Sequence, residues 1–221
     1  MNKRLITIGF LILAIAVIAK SLFITSKNIK LDDFHKSAVI FVIDSSASNQ
    51  KKLPEEIKYV KSLCAILDPE DAIKILKVSS DSYLIYEGNP SDITGIEKAI
   101  NSFTNNKNDY TTSYGEGIKK ALGYCLTMQQ EGYRPSVVVI GDLLNEGTLS
   151  KQINWETLPK NVKQVQKYIP ELAMMFVYAA PEKLDMVKTK LSPVLGETKL
   201  VVANEAMVDK SSRRFLKAIG R

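Results

Sequence analysis

The stretch Ala38-Val39-Ile40-Phe41-Val42-Ile43-Asp44-Ser45-Ser46-Ala47-Ser48 decides the reading of this 221-residue chain. Its first six residues are apolar without a break, too rich in β-branched side chains and too short for a helix, which predicts a central strand buried on both faces. Its last five set a carboxylate and two hydroxyls at alternate positions in the loop that follows. A strand that runs straight into such a loop delivers polar groups to the carboxyl edge of a sheet, where open α/β sheets bind ligands.

Downstream, the periodicity changes repeatedly between strand and helix. Pro54 opens a helix in which Ile57, Val60, Cys64 and Leu67 recur at three- and four-residue spacing. Ile73 to Val78 and Tyr83 to Tyr86, separated by Ser79-Ser80-Asp81-Ser82, read as a hairpin. Pro90-Ser91-Asp92 starts a helix that ends near Phe103, and Gly115 to Gln130 forms the next, with Ile118, Ala121, Leu122, Cys125 and Leu126 on one side. Pro135 introduces the strand Val137 to Ile140, and a polar loop around Trp155 leads to Pro159 and a helix up to Tyr168. Strand Ala173 to Tyr178, helix Glu182 to Leu191, strand Leu200 to Ala203 and a terminal helix complete the chain. This alternation implies an α/β domain, doubly wound, with a mostly parallel sheet and helices on both faces.

Upstream, Lys3 and Arg4 precede an apolar run from Leu5 to Ala19, and hydrophobicity resumes after Lys20 through Leu22, Phe23 and Ile24. About 20 apolar residues span a bilayer, and Lys20 lies where its stem can snorkel to the headgroups. Residues 1–25 therefore read as a signal anchor with its transmembrane helix over Leu5 to Ile24, residues 26–36 as a short stalk, and residues 37–221 as the folded domain. A cleaved signal peptide is the alternative, since Val17-x-Ala19 also fits a cleavage site. In both cases the domain faces away from the cytoplasm, either single-pass in the membrane or secreted or periplasmic after cleavage, and a bare anchor on so small a chain reads as a bacterial envelope protein.

The formal charge of +6 gives no nucleic-acid signature. Half of the excess lies in residues 1–35, where Lys3, Arg4, Lys20, Lys27 and Lys30 face Asp32 and Asp33, and no Lys/Arg stripe interleaved with aromatics follows. The two cysteines, Cys64 and Cys125, lack metal or redox spacing. They read as small buried hydrophobes, although an exported domain also permits a disulfide.

Two further groups fall where the crevice after the first strand needs them. Thr112 lies in Thr112-Ser113-Tyr114-Gly115, ahead of a helix, and Asp142 ends the strand run Val137-Val138-Val139-Ile140-Gly141-Asp142. Asp44, Ser46, Ser48, Thr112 and Asp142 make an all-oxygen set that suits Mg2+ or Mn2+ and offers nothing soft to zinc or copper. Taken singly, each has a plain reading as a helix cap or turn residue. All five in the right order on one sheet edge go beyond what capping predicts.

At these residues the chain resembles the von Willebrand factor type A (VWA) family, whose metal-ion-dependent adhesion site combines D-x-S-x-S, a Thr before a Gly-led helix, and an Asp after the fourth strand. The resemblance covers residues 37 to 220. It implies direct metal contacts from Ser46, Ser48 and Thr112, with Asp44 and Asp142 close by and often acting through water. One coordination position would then be left for a Glu or Asp of a partner protein. Three local departures stand out: Gly141 and Leu143 flank Asp142 where the family commonly has Thr-Asp-Gly, and Tyr114 replaces a small residue.

Two other classes remain as alternatives. An Asp44-dependent phosphohydrolase would need a second carboxylate at position 46, where the chain has Ser, and His35, the sole histidine, precedes the first strand, which leaves no triad. A passive scaffold subunit of an envelope complex would dock through helix faces, such as the terminal helix with Arg213, Arg214 and Lys217, without metal dependence. Those cations also complement a helix dipole.

Overall fold

Strand β1 (Lys36–Asp44) alternates Val39, Phe41 and Ile43 toward one face with Ile40 and Val42 toward the other, and all five are fully buried. Only a strand covered on both faces uses such a continuous apolar run. The computed structural model describes residues 36–102, 111–144, 148–204 and 208–221. The expected anchor and stalk over residues 1–35 lie outside the described residues, among which no helix is long and apolar enough to cross a membrane.

Among the described residues, six strands form one sheet in the order β3-β2-β1-β4-β5-β6. Besides β1 they are β2 (Ala72–Val78), β3 (Ser82–Gly88), β4 (Tyr133–Ile140), β5 (Ala173–Val177) and β6 (Leu200–Ala203). All pairs are parallel except the edge hairpin β2–β3. The sheet is thus mixed and mostly parallel. Helices α1 (Leu53–Cys64), α2 (Ile93–Asn101) and α6 (Val208–Ala218) cover the face of Val39, Phe41 and Ile43. Helices α3 (Tyr114–Gln130), α4 (Leu158–Gln166) and α5 (Pro181–Leu195) cover the other. Truncating a core ring such as Phe41 to Ala would cost about 3–5 kcal/mol.

Three details depart from the sequence expectations. β4 starts at Tyr133, so Pro135 lies inside the strand; it pairs with Ala38, whereas β5 joins β4 only from Ser136, so the missing N–H falls where β4 has one neighbour. Helix α5 continues past Leu191 to Leu195 and takes Pro193 into its last turn before Gly196 ends it at φ 76°. The buried stripe of α1 runs through Leu53, Glu56, Val60 and Leu63, while Ile57 is only half-buried. Cys64 and Cys125 are both free and buried, and burial pushes the Cys64 thiol up to about 12.

Strand order reverses at β1, which has β2 on one side and β4 on the other. Ligand crevices in open α/β sheets form at the carboxyl ends beside such a reversal. Ile43 pairs with Ile140 there, which brings the loops after β1 and β4 side by side.

Candidate metal centre

The loop after β1 is stapled to its neighbour before it turns. Ser45 donates to the Val78 carbonyl through both its N–H, at 2.9 Å, and its hydroxyl, at 3.2 Å. Asp44 Oδ1 accepts from the Ser46 N–H at 2.8 Å, a local Asx bond that bends the chain into a single 3-10 turn over Ala47–Asn49. That bend sets the Ser46 and Ser48 hydroxyl oxygens 2.9 Å apart, the first buried and the second exposed. Ser46 is therefore bonded to Asp44 through its N–H and to Ser48 through its hydroxyl.

Thr112 and Asp142 reach the same edge from two other loops. Ser113 donates to the Ser79 carbonyl, just beyond β2, from its N–H at 2.7 Å and its hydroxyl at 2.5 Å, which holds the buried Thr112 at that strand end. Tyr114, the first residue of α3, is fully buried; its hydroxyl donates to Asp44 Oδ2 at 2.9 Å and accepts from the Leu143 N–H at 3.4 Å. The Asp142 carboxylate accepts from the Leu144 N–H at 2.9 Å, and its main-chain carbonyl from the Ala180 N–H at 2.9 Å. Tyr114 thus ties Asp44 to the main chain at Leu143, next to Asp142, and the Asp142 charge acts on Asp44, while Thr112 lies at the end of β2 two residues before Tyr114.

The three departures from the family pattern fit one another. A Cβ on Gly141 would fall onto the Tyr114 hydroxyl and within 2.7 Å of the Asp44 Cβ, and the φ of 134° at this position favours glycine. The large residue at 114 therefore needs the missing side chain at 141. Leu143 takes the left-handed conformation, φ 62°, that a glycine would adopt freely, while its side chain packs fully buried in the core under α3. The loop keeps a glycine-like turn at some cost in backbone strain.

The donor set fits a small hard cation. At metal–oxygen distances of about 2.0–2.1 Å, neighbouring ligands of an octahedral ion stand roughly 2.9 Å apart, the separation of the Ser46 and Ser48 hydroxyls. Burial pushes the Asp44 carboxyl up to about 6; hydrogen bonds from Ser46 and Tyr114 oppose this, and nearby Asp142 adds to it. A cation at this edge would relieve that repulsion. A groove of about 470 Å³ between α3 and residues 150–158 includes none of the five residues.

Sequence reasoning missed two buried groups under the loop. Asn49 closes the 3-10 turn, and Glu56 is 0 % exposed on α1. Glu56 had a signal: it occupies the buried register of Leu53, Val60 and Leu63, which starting the helical face at Ile57 concealed.

Residues 39–145, which include all five candidate ligands, match the von Willebrand factor type A domain family. Comparison with curated proteins gives no match. Among solved structures, the chain is similar to BatB from Bacteroides thetaiotaomicron, at 15 % identity over 84 % of this chain and 100 % of that one, with a TM-score of 0.61. It is similar to an aerotolerance-related membrane protein from Bacteroides fragilis, at 13 % identity over 83 % and 98 % of the two chains, TM-score 0.58. The pilus adhesin SpaC from Lactobacillus rhamnosus GG matches at 10 % identity over 83 % of this chain and 31 % of its own, TM-score 0.57. The described domain thus has the VWA, Rossmann-like fold, and its residues 39–145 match that family.

Proposed function

We propose that this chain is a membrane-anchored binding domain that holds Mg2+ or Mn2+ through Ser46, Ser48 and Thr112, with Asp44 and Asp142 beside the ion, and captures a Glu or Asp of a partner protein. The observation that carries this reading is the 2.9 Å spacing of the Ser46 and Ser48 hydroxyls beside Asp44, at the β1–β4 edge where Asp142 also ends. Two carboxylates and neutral hydroxyls leave a divalent ion with residual positive charge, so an incoming carboxylate gains attraction as it completes the shell.

The role is binding rather than catalysis, because position 46 supplies a hydroxyl where phosphoaspartyl hydrolases place their second carboxylate. The apolar run from Leu5 to Ile24 supports anchoring, with the domain outside the cytoplasm. The solved relative from Bacteroides fragilis, described as a membrane protein, is consistent with that placement.

The deciding experiment is magnesium and manganese titration calorimetry on the full chain in detergent, followed by crosslinked partner recovery with and without chelator. The expected result is metal-dependent heat and a partner released by chelator. A partner retained in excess chelator would instead favour the passive scaffold.

A further inference from the structure

Beneath the Asp44–Ser48 loop lies a polar pair that the metal reading does not use. Glu56 projects from the sheet-facing stripe of α1 and is 0 % exposed; Asn49, at 1 %, ends the 3-10 turn above it. Asn49 Nδ2 donates to Glu56 Oε2 at 2.7 Å and to the main-chain oxygen of Asp44 at 3.1 Å. The other oxygen of each group, Asn49 Oδ1 and Glu56 Oε1, is buried and has no hydrogen-bond partner among the described residues. Both are acceptors if Glu56 is ionised, and two buried acceptors cannot satisfy each other.

In the metal-free protein the acidic neighbours of Glu56 oppose its ionisation. Asp44 from the end of β1 and Asp142 from the loop after β4 both act against a charge on Glu56, and Lys52, at the start of α1, favours it with a smaller effect than either. Among the described residues, the side-chain hydrogen bond that Glu56 receives comes from a neutral amide. A buried carboxylate so placed is better accommodated by taking up a proton.

We infer that Glu56 is a neutral carboxylic acid whose Oε1–H donates to Asn49 Oδ1, closing an amide–acid ring with two hydrogen bonds beneath the metal loop. One proton gives both unpartnered oxygens a partner. Burial pushes the Glu56 carboxyl up to about 8, in agreement with this state near neutral pH.

The consequence for binding rests on the metal reading. Asn49 grips the Asp44 carbonyl and directly follows Ser48, so the ring positions the main chain on both sides of the Ser46–Ser48 pair. It does so without adding a third negative charge to Asp44 and Asp142. Glu56 is therefore a positioning residue for the main chain that carries the Ser46–Ser48 pair.

The test combines a protonation readout with a metal readout on the full chain in detergent. With glutamate labelled by 13C at Cδ, the Glu56 signal, assigned by its loss in Glu56→Gln, should keep a carboxylic-acid shift up to near neutral pH and titrate toward about 8. An infrared acid-carbonyl band that disappears in the same variant should accompany it in the wild type. Titration near the ordinary value of 4.5 would overturn the ring in favour of an ionised, water-bridged Glu56. Glu56→Gln preserves a neutral two-bond ring, so its magnesium affinity should stay within about twofold of wild type, whereas a loss of about tenfold or more would overturn the neutral role. Asn49→Leu removes the ring and should weaken magnesium binding by about tenfold or more; unchanged affinity there would overturn the positioning role. The spectroscopic arm needs no metal, so wild-type protein that binds no magnesium would sink the metal reading while the titration still decides the ring.

Discussion

The hydroxyl of Tyr114 occupies the space that a Cβ on Gly141 would need, and from that position it donates to Asp44 Oδ2 at 2.9 Å. Two residues 27 positions apart are thereby coupled through the first ligand candidate of the site. Each alone departs from the family pattern, and together they restore a filled, hydrogen-bonded crevice floor.

The coupling predicts a specific double-mutant result. Gly141→Ala meets the Tyr114 hydroxyl and the Asp44 Cβ at a φ of 134°, and should destabilise the fold by about 2–4 kcal/mol. Tyr114→Phe, which loses the bond to Asp44 and leaves the Leu143 N–H unsatisfied, should cost about 1–2 kcal/mol alone. Combined, the two should cost less than their sum by roughly 1 kcal/mol, because the clashing oxygen is gone. Urea unfolding of the four proteins measures this, and strict additivity would show that the two sites act independently.

Metal capture should separate from folding. Asp44→Ala is expected to abolish the magnesium or manganese heat, and Thr112→Ala to weaken partner recovery as chelator does. Thermal unfolding of the metal-free Thr112→Ala protein should shift by no more than about 0.5–1 kcal/mol in stability. A Thr112→Ala protein that recovers as much partner as wild type would remove this residue from the ligand set.

The stability of the metal-free protein should fall as pH rises. Glu56 is raised from 4.5 to about 8 on folding, so the folded chain binds more protons than the unfolded chain across that window. The contribution of Glu56 is fully present below pH 4.5 and is lost as pH passes through about 8. Glu56→Gln should flatten this part of the profile. Denaturant midpoints from pH 4.5 to 8 measure it, and a slope unchanged in the variant would assign the effect to another group.

The apolar run from Leu5 to Ile24 predicts membrane fractionation with the domain accessible from outside the cytoplasm. Protease added to spheroplasts should degrade the domain. Resistance in intact spheroplasts, with digestion once the membrane is dissolved, would reverse this topology.

The sequence by itself determined the α/β alternation, the hairpin, the central strand at Ala38–Ile43 and the order of Asp44, Ser46, Ser48, Thr112 and Asp142 along the chain. These features are local: unbroken apolar runs, helical spacing and loop composition are written within a few residues of one another. Tertiary structure alone decided that Pro135 sits within β4, where β5 does not reach, and that Leu143 carries a glycine-like turn while burying its side chain. It likewise decided that Gly141 answers Tyr114 and that Glu56 lies sealed beneath Asn49. Each of these depends on which surfaces meet when β1 pairs with β4 and α1 closes over the sheet. Steric fit and the desolvation of a carboxyl group are properties of that packed arrangement, and no spacing along the chain expresses them.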